Sequence, residues 1–279
     1  MHETSQSRLK ISIIMCAFNE QDRIERAINE VLHSEYPCAV ELVVVDDGST
    51  DDTALLAEKI SDPRLIVHRL GKNRGKGYAL RTASDLATGT HILPFDADLE
   101  YSAEDIPRLI EPVIKRNYSV VYGARIFGFN TVYQSYRYAA GNRFLTRAAN
   151  ILFDASISDL HTCLKLVPRE LFRRLLLRES RFGLDTEMTA TLLRLGYRPF
   201  EVPISYYSRS HAEGKKICWR DAFACMAILL KVRLRRRKQL VAEESVPVSA
   251  CRLTQEQFLE DADYEFVSTL KLEVNGEFS

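Results

Sequence analysis

An apolar run that ends in Phe95-Asp96-Ala97-Asp98-Leu99-Glu100 carries chemistry most plainly in this chain. Side chains two apart on an extended strand share a face, so Asp96 and Asp98 are expected to project to one side. Two clustered carboxylates repel unless something positive lies between them. A hard divalent cation, held by one or two carboxylates together with substrate phosphates, answers that need. A turn rich in aspartate, leading into the next helix, explains the D-x-D pattern alone equally well.

Two other stretches have the same double character. In Val45-Asp46-Asp47-Gly48-Ser49-Thr50-Asp51-Asp52-Thr53, serine and threonine suit helix caps and glycine suits a turn. Two adjacent acids at the end of a buried strand are then left over; one is expected to be structural and the other to hold a polar ligand group. Gly71-Lys-Asn-Arg-Gly-Lys-Gly77 places Lys72, Arg74 and Lys76 before a helix N-terminus, a ready anion site. It lacks the Gly-Lys-Ser/Thr ending of a P-loop, and a solvated basic turn accounts for it by itself. Taken together, acids for a metal and for hydroxyls, plus cationic donors for phosphate, describe a nucleotide-diphosphate site.

The elements that must position these residues alternate strand and helix. Ile11–Ala17, Glu41–Asp46, Arg64–Leu70, Thr90–Phe95 and Tyr118–Ala124 read as short apolar strands. Asn19, with Asp22 three residues on, is expected to cap a helix whose apolar face is Ile24, Ala27, Ile28, Val31 and Leu32. Thr50 opens a second helix, and Gly77–Ala87 forms a third. Repeated strand–helix units imply right-handed crossovers and an α/β fold, a mostly parallel sheet with helices on both faces. Ligands of such sheets collect at the carboxyl ends of the strands, where the three stretches fall. Beyond Ala124, helices are expected over Tyr136–Phe153, Glu170–Leu177 and Asp185–Leu195, with a strand at Tyr197–Ile204.

Composition narrows the class. The 279 residues are 46% hydrophobic and 27% charged, ordinary for a globular protein. Basic and acidic residues balance at 38 each, so global basicity gives no reason to expect nucleic acid as a partner. The balance hides an asymmetry: from Val241 onward nine acids face only Arg252 and Lys271, a net charge of −7, leaving +7 on residues 1–240. The start of the chain has no signal-peptide pattern, and six scattered cysteines without a C-x-x-C pair suit reduced thiols in a cytoplasmic protein. The apolar run Ala222–Leu230 has nine residues, far short of the roughly 20 that span a bilayer.

In order and spacing, Ile14-Met-Cys-Ala-Phe-Asn-Glu20, the Asp46-Asp47 stretch, Asn73-Arg-Gly-Lys-Gly77 and Asp96-Ala-Asp98 resemble the family 2 glycosyltransferases of GT-A fold. Val121-Tyr-Gly-Ala-Arg125, Ser158–Lys165, Phe182–Glu187 and Ser208–Lys216 resemble the dolichol-phosphate mannose synthase and polyprenyl-phosphate glucosyltransferase branch. The resemblance covers roughly Ile11 to Leu230. It implies a GT-A domain over residues 1–240 and leaves 241–279 as an acidic appendage. It implies Ala17, Phe18 and Glu20 at the nucleobase, Asp47 at base or ribose, and Lys76 among the cofactor-binding cations. It further implies Asp96, Asp98 and Glu100 around Mg²⁺ or Mn²⁺, Arg125 and Asp159 facing donor sugar and acceptor, and Arg209 and Lys215 reaching phosphates from a loop. Direct inversion at the anomeric carbon follows from the same resemblance. His161-Thr162-Cys163 departs from the usual segment of this branch.

The implied reaction moves a hexose from a UDP- or GDP-sugar to a lipid phosphate. Trp219, Phe223, Met226, Leu230 and Leu234 recur at helical spacing ahead of Arg233, Arg235, Arg236, Arg237 and Lys238. Such a segment either ends in solvent or rests on an anionic membrane surface, peripheral on the cytoplasmic face. A membrane-tethering partner or a second copy of the chain is left open. The alternatives are a soluble transferase acting on a saccharide, peptide or small-molecule hydroxyl, and a nucleotide-sugar-binding subunit without turnover. A hydroxyl acceptor needs a general base, for which Asp185 and Glu187 are the candidates; an ionised phosphate does not.

Overall fold

The computed structural model describes residues 9–125, 131–132, 135–180, 183–208 and 219–242. Strands β1 (Lys10–Ala17), β2 (Ala39–Asp46), β3 (Leu65–Arg69), β4 (His91–Asp96), β5 (Val121–Ala124), β7 (Lys165–Pro168) and β8 (Phe200–Pro203) form one seven-stranded sheet in the order β3-β2-β1-β4-β7-β5-β8. All run in one direction except β7, which pairs antiparallel with both β4 and β5. β6 (Thr131–Val132) and β9 (Tyr206–Tyr207) pair separately. The mixed α/β sheet matches the expected class.

Ile11, Ile13, Ile14 and Met15 on β1 and Leu42–Val45 on β2 are fully buried, the signature of strands covered on both faces. Helix α1 (Ile24–His33) buries Ile24, Ala27, Ile28, Val31 and Leu32, the expected face. Its start differs from expectation. Asn19 is no cap, because the helix begins at Ile24 after a turn in which Glu20 O accepts from Arg23 N and Ile24 N. Asn19 has a left-handed backbone (φ 55°), and its Oδ1 accepts from Thr50 N at 2.9 Å while its own N–H donates to Ser49 Oγ. It therefore stitches the loop after β1 to the loop after β2. Helix α2 (Thr53–Glu58) likewise starts three residues later than Thr50, with Asp51 accepting from Thr53 N.

Helices α3 (Lys76–Leu86), α4 (Ile106–Arg116), α5 (Tyr136–Phe153), α6 (Arg169–Arg174), α7 (Gly183–Leu195) and α8 (Trp219–Leu234) complete the body. α8 packs on α7 and α5. It buries Cys225, Ile228, Leu229 and Val232, and leaves Phe223, Leu230 and Leu234 exposed on another face. The chain then returns to α6, where Leu176 N donates to Leu240 O and Ala242 N to Arg174 O. The expected boundary at 240/241 falls inside this pairing; the remainder of the 241–279 appendage lies outside the described residues. Among the described residues no helix is long and apolar enough to cross a membrane.

Candidate active site

The carboxyl ends of β1, β2 and β4 are in register: Ala17 lies opposite Asp46, and Cys16 opposite Asp96. Loops leaving this edge carry every motif of the N-terminal half. Phe18 is 41% exposed, whereas Ala17 is buried and its carbonyl accepts from Asp47 N. Glu20 pairs with Arg23 at 3.2 Å.

The acids of β2 turn inward. Asp46 accepts from Ser49 N at 3.1 Å. Asp47, expected at base or ribose, has one oxygen on Arg74 N and the other on Gly75 N, both at 2.8 Å. Both are almost fully buried, at 1% and 3% exposure. Asp47 therefore braces the glycine-rich loop, and any contact with a nucleotide would be in addition to these bonds. Gly48 (φ 73°) lies so close to Lys72 and Asn73 that a side chain would collide with their backbone. Gly75 (φ 89°) then turns the loop into α3.

The acids after β4 are arranged differently. The strand ends at Asp96, and Ala97–Glu100 form a turn with Leu99 in the left-handed region (φ 61°). The expected shared strand face of Asp96 and Asp98 therefore does not exist; a turn brings Asp98 round, and its Oδ1 accepts from Glu100 N. Glu100, expected as a third metal ligand, is buried, with Oε2 accepting from Tyr206 Oη at 2.6 Å. Asp96 receives the Lys76 ammonium at 2.8 and 3.2 Å. Lys76 also approaches Asp185 at 3.7 Å. Burial disfavours the charge on Lys76, but Asp185 and Asp96 outweigh it and hold the ammonium well above the usual lysine range. Asp96 thus already sits in a position that attracts a cation. Among the described residues no three His, Cys, Asp or Glu side chains form a ready metal cage.

Behind Lys76 lies a lysine that sequence reasoning gave no role. Lys165 is fully buried, donates to Leu160 O and Asp185 O at 3.1 and 3.0 Å, and stands 3.5 Å from the Asp185 carboxylate. Burial pushes its amine downward, against the pull of Asp185. Burial would raise Asp185, yet Lys76 and Lys165 together hold it below the usual carboxylate range.

Arg125 and Asp159, expected to face donor sugar and acceptor, bond to each other through two parallel bonds of 2.5 and 2.7 Å. The pair is buried, and the charge of Arg125 holds Asp159 at about 2 against the upward push of burial. Asn142 on α5 donates to Asp159 and accepts from His161 Nδ1 at 2.8 Å; His161 Nε2 faces Thr186 Oγ1 at 2.8 Å. With Asn142 oriented this way, Nδ1 carries the proton and Nε2 accepts. Burial, aided by Lys165, lowers His161 to about 4.

Glu187 does not reach this constellation as a base. It is 0% exposed, with Oε2 on Arg178 N and Glu179 N (2.7 and 2.8 Å) and Oε1 on Arg235 Nη1 (2.6 Å). Both carboxylate oxygens carry bonds that hold structure. Arg209 and Lys215 lie outside the described residues.

The sequence model of glycosyl transferase family 2 matches residues 12–176, more than half of the chain and the stretch that holds these loops. The chain belongs to this family. A glycosyltransferase of Haloferax volcanii, AglJ, is 28% identical over 200 residues, covering 71% of this chain and 63% of the relative. The undecaprenyl-phosphate 4-deoxy-4-formamido-L-arabinose transferase of Proteus mirabilis is 25% identical over 211 residues, covering 74% and 62%. The match therefore spans less than two thirds of either relative. The crystal structure of glucosyl-3-phosphoglycerate synthase from Mycobacterium tuberculosis, solved with Mn²⁺, UDP-glucose and phosphoglyceric acid, superposes with a TM-score of 0.61 at 21% identity, covering 83% of this chain and 82% of that one. At that identity the likeness establishes the shared GT-A fold.

Within this family 2 chain, sequence reasoning passed over Lys165, Asn142 and Thr186, and it read Arg235 only as one of the basic run after α8. Lys165 had one usable signal, a lysine at the start of an apolar strand. Asn142 and Thr186 had none, since their partners lie 17 or more residues away.

Proposed function

We propose that the chain is a metal-dependent, inverting glycosyltransferase that moves a hexose from a nucleotide-diphosphate sugar to a polyprenyl-phosphate-type lipid. The observation that carries this reading is Lys76, held between Asp96 and Asp185 at the carboxyl edge of the sheet, beside a glycine-rich loop braced by Asp47. Asp96 and Asp98 would hold the Mg²⁺ or Mn²⁺, which when bound supplies positive charge to the departing diphosphate. The Mn²⁺ and UDP-glucose in the Mycobacterium tuberculosis structure support that assignment. Lys76 adds a cation whose attraction grows as the leaving group gains charge, the condition for accelerating the step.

The acceptor follows from proton bookkeeping. Glu187 is occupied, and two lysines keep Asp185 a weaker base than an ordinary aspartate. An acceptor that is already ionised, a phosphate monoester, needs no base. The undecaprenyl-phosphate named for the Proteus mirabilis relative supports a lipid phosphate. Exposed Phe223 and Leu234 (68% and 84%) on α8, ahead of the basic run to Lys238, and exposed Phe144 and Ile151 on the adjoining α5 offer a surface for anionic lipid.

Two measurements test the reading. A panel of UDP- and GDP-sugars should raise the melting temperature, more so with Mn²⁺, through mass action on the folded state. The stabilising donor should then turn over with a polyprenyl phosphate and not with sugar or peptide hydroxyls. Turnover on a hydroxyl with a pH–rate limb lost in Asp185→Asn would move the assignment to a soluble acceptor. Binding to anionic vesicles should be lost at high salt; equal binding to neutral vesicles would remove the membrane surface.

A further inference from the structure

Four of the five basic residues from Arg233 to Lys238 are exposed, and Arg235 alone turns inward. Its guanidinium meets Glu187 Oε1, while Glu187 Oε2 takes the backbone N–H groups of Arg178 and Glu179. That backbone presses on the first turn of α3: a side chain at Gly77 would come within 2.9 Å of Glu179 O and 3.2 Å of Ser180 Cα. Lys76, one residue earlier, is the cation that reaches Asp96. The same helix that carries Glu187 presents Asp185 to Lys76. One buried carboxylate thus ties three things together: the end of α8, the 178–180 backbone, and the turn from which Lys76 projects.

We infer that Arg235 and Glu187 are a positioning pair that sets the Lys76 ammonium against Asp96 and Asp185. A buried carboxylate that accepts two backbone N–H groups fixes that backbone only while its charge is matched, and Arg235 supplies the match. Without it, the carboxylate draws in water or rotates, the 178–180 segment loosens, and the close contact at Gly77 no longer holds the start of α3. Arg235 belongs to the run proposed above as lipid-facing, so the end of α8 and the diphosphate cation share one mechanical link. The inference rests on the glycosyltransferase reading only for its consequence in donor binding; the placement of Lys76 is independent of it.

The test therefore reads Lys76 directly. In the full chain without added nucleotide, brief acetylation of amines followed by mass spectrometry measures Lys76, and hydrogen exchange measures the amides of residues 75–79. With Arg235→Met, Lys76 acetylation and exchange at 75–79 should rise at least about fivefold while α4 stays protected. Arg235→Lys should recover part of the protection, and Arg236→Met, altering an exposed neighbour, should leave it unchanged. If Arg235→Met does not fold, Glu187→Gln serves, since the amide retains an oxygen for the backbone N–H groups but loses the charge. Unchanged Lys76 protection in a folded variant, or an equal rise in Arg236→Met, would overturn the positioning role. In donor titrations, wild-type turnover with an unchanged KM in Arg235→Met would do the same. A wild type that turns over no nucleotide sugar would instead count against the transferase reading and leave the acetylation result standing.

Discussion

Asp46-Asp47 and Asp96-Ala97-Asp98 end neighbouring regions of one sheet, at the same edge, with the same residue type. Their surroundings differ. After β2 both carboxylates are buried: Asp46 accepts from Ser49 N, with Arg69 at 3.8 Å, and Asp47 accepts from the backbone N–H groups of Arg74 and Gly75. After β4 the acids remain partly exposed, and Asp96 meets side chains, the Lys76 ammonium and the Cys163 thiol. Backbone donors cannot leave without unfolding a loop, whereas an ammonium on a four-carbon stem can swing to a phosphate. The first pair therefore builds the loop that delivers Lys76, and the second leaves a cation-attracting position at the sheet edge.

Removing a carboxylate from the β4 side is the most severe way to separate the two. Asp98→Ala is expected to lower turnover by about two to three orders of magnitude, the scale of losing one preorganised electrostatic group, and to abolish metal-dependent stabilisation by donor. The fold should survive, because Asp98 lies in the turn after β4 and not within a strand of the sheet. Normal turnover of Asp98→Ala in metal-free buffer would break the functional half of the comparison.

A second contrast sets the Arg125–Asp159 pair against both. It is fully enclosed, so Asp159→Asn or Arg125→Met strands a buried charge and should cost about 3–5 kcal/mol of stability. Chemical denaturation measures this directly. A loss below about 1 kcal/mol, the range of exposed pairs, would mean that water reaches Arg125. The pH profile has a defined sign. Asp159 sits at about 2 in the folded protein, below an ordinary aspartate, so its contribution is present above about pH 4 and is lost as pH falls toward 2. His161 acts earlier: held at about 4, it stays neutral in the fold while the unfolded chain protonates near 6.5, so stability falls from pH 6.5 to 4. His161→Gln should flatten that upper limb and leave the lower one.

These contrasts also show what was legible. Apolar runs and the 3.6 spacing of α1 report burial directly, so the parallel strands and the acids at their ends could be read from residue types alone. Asp47 was placed at the right edge, but its bonds to the loop 27 residues on were not read, because no pattern marks an acid that braces such a loop. Lys165 escaped because a lysine at 0% exposure is recognisable only when Leu160 O and Asp185 O are seen to cap it. Glu187 looked like a base two residues from Asp185, and the Arg235 that occupies it is 48 residues away. Local pattern was informative where the partner was local; long-range pairing of charges was not.

The mildest way to sharpen the comparison is to loosen the structural edge without touching an acid. Asn19 joins the loop after β1 to the loop after β2 through Thr50 N, and does so from a left-handed backbone conformation. Asn19→Gly keeps that conformation accessible and deletes only the side-chain bond, which should cost about 0.5–1.5 kcal/mol. Asn19→Ala deletes the bond and adds about 1 kcal/mol of left-handed strain, so it should be the less stable of the two by urea denaturation. Phe18 precedes Asn19, so both variants should raise the KM for donor with little change in kcat if the stitched loops hold the nucleobase. Equal stability of the glycine and alanine variants would show that the backbone strain is relieved elsewhere. A fall in kcat without a change in KM would move the stitched loops from donor binding to the chemical step.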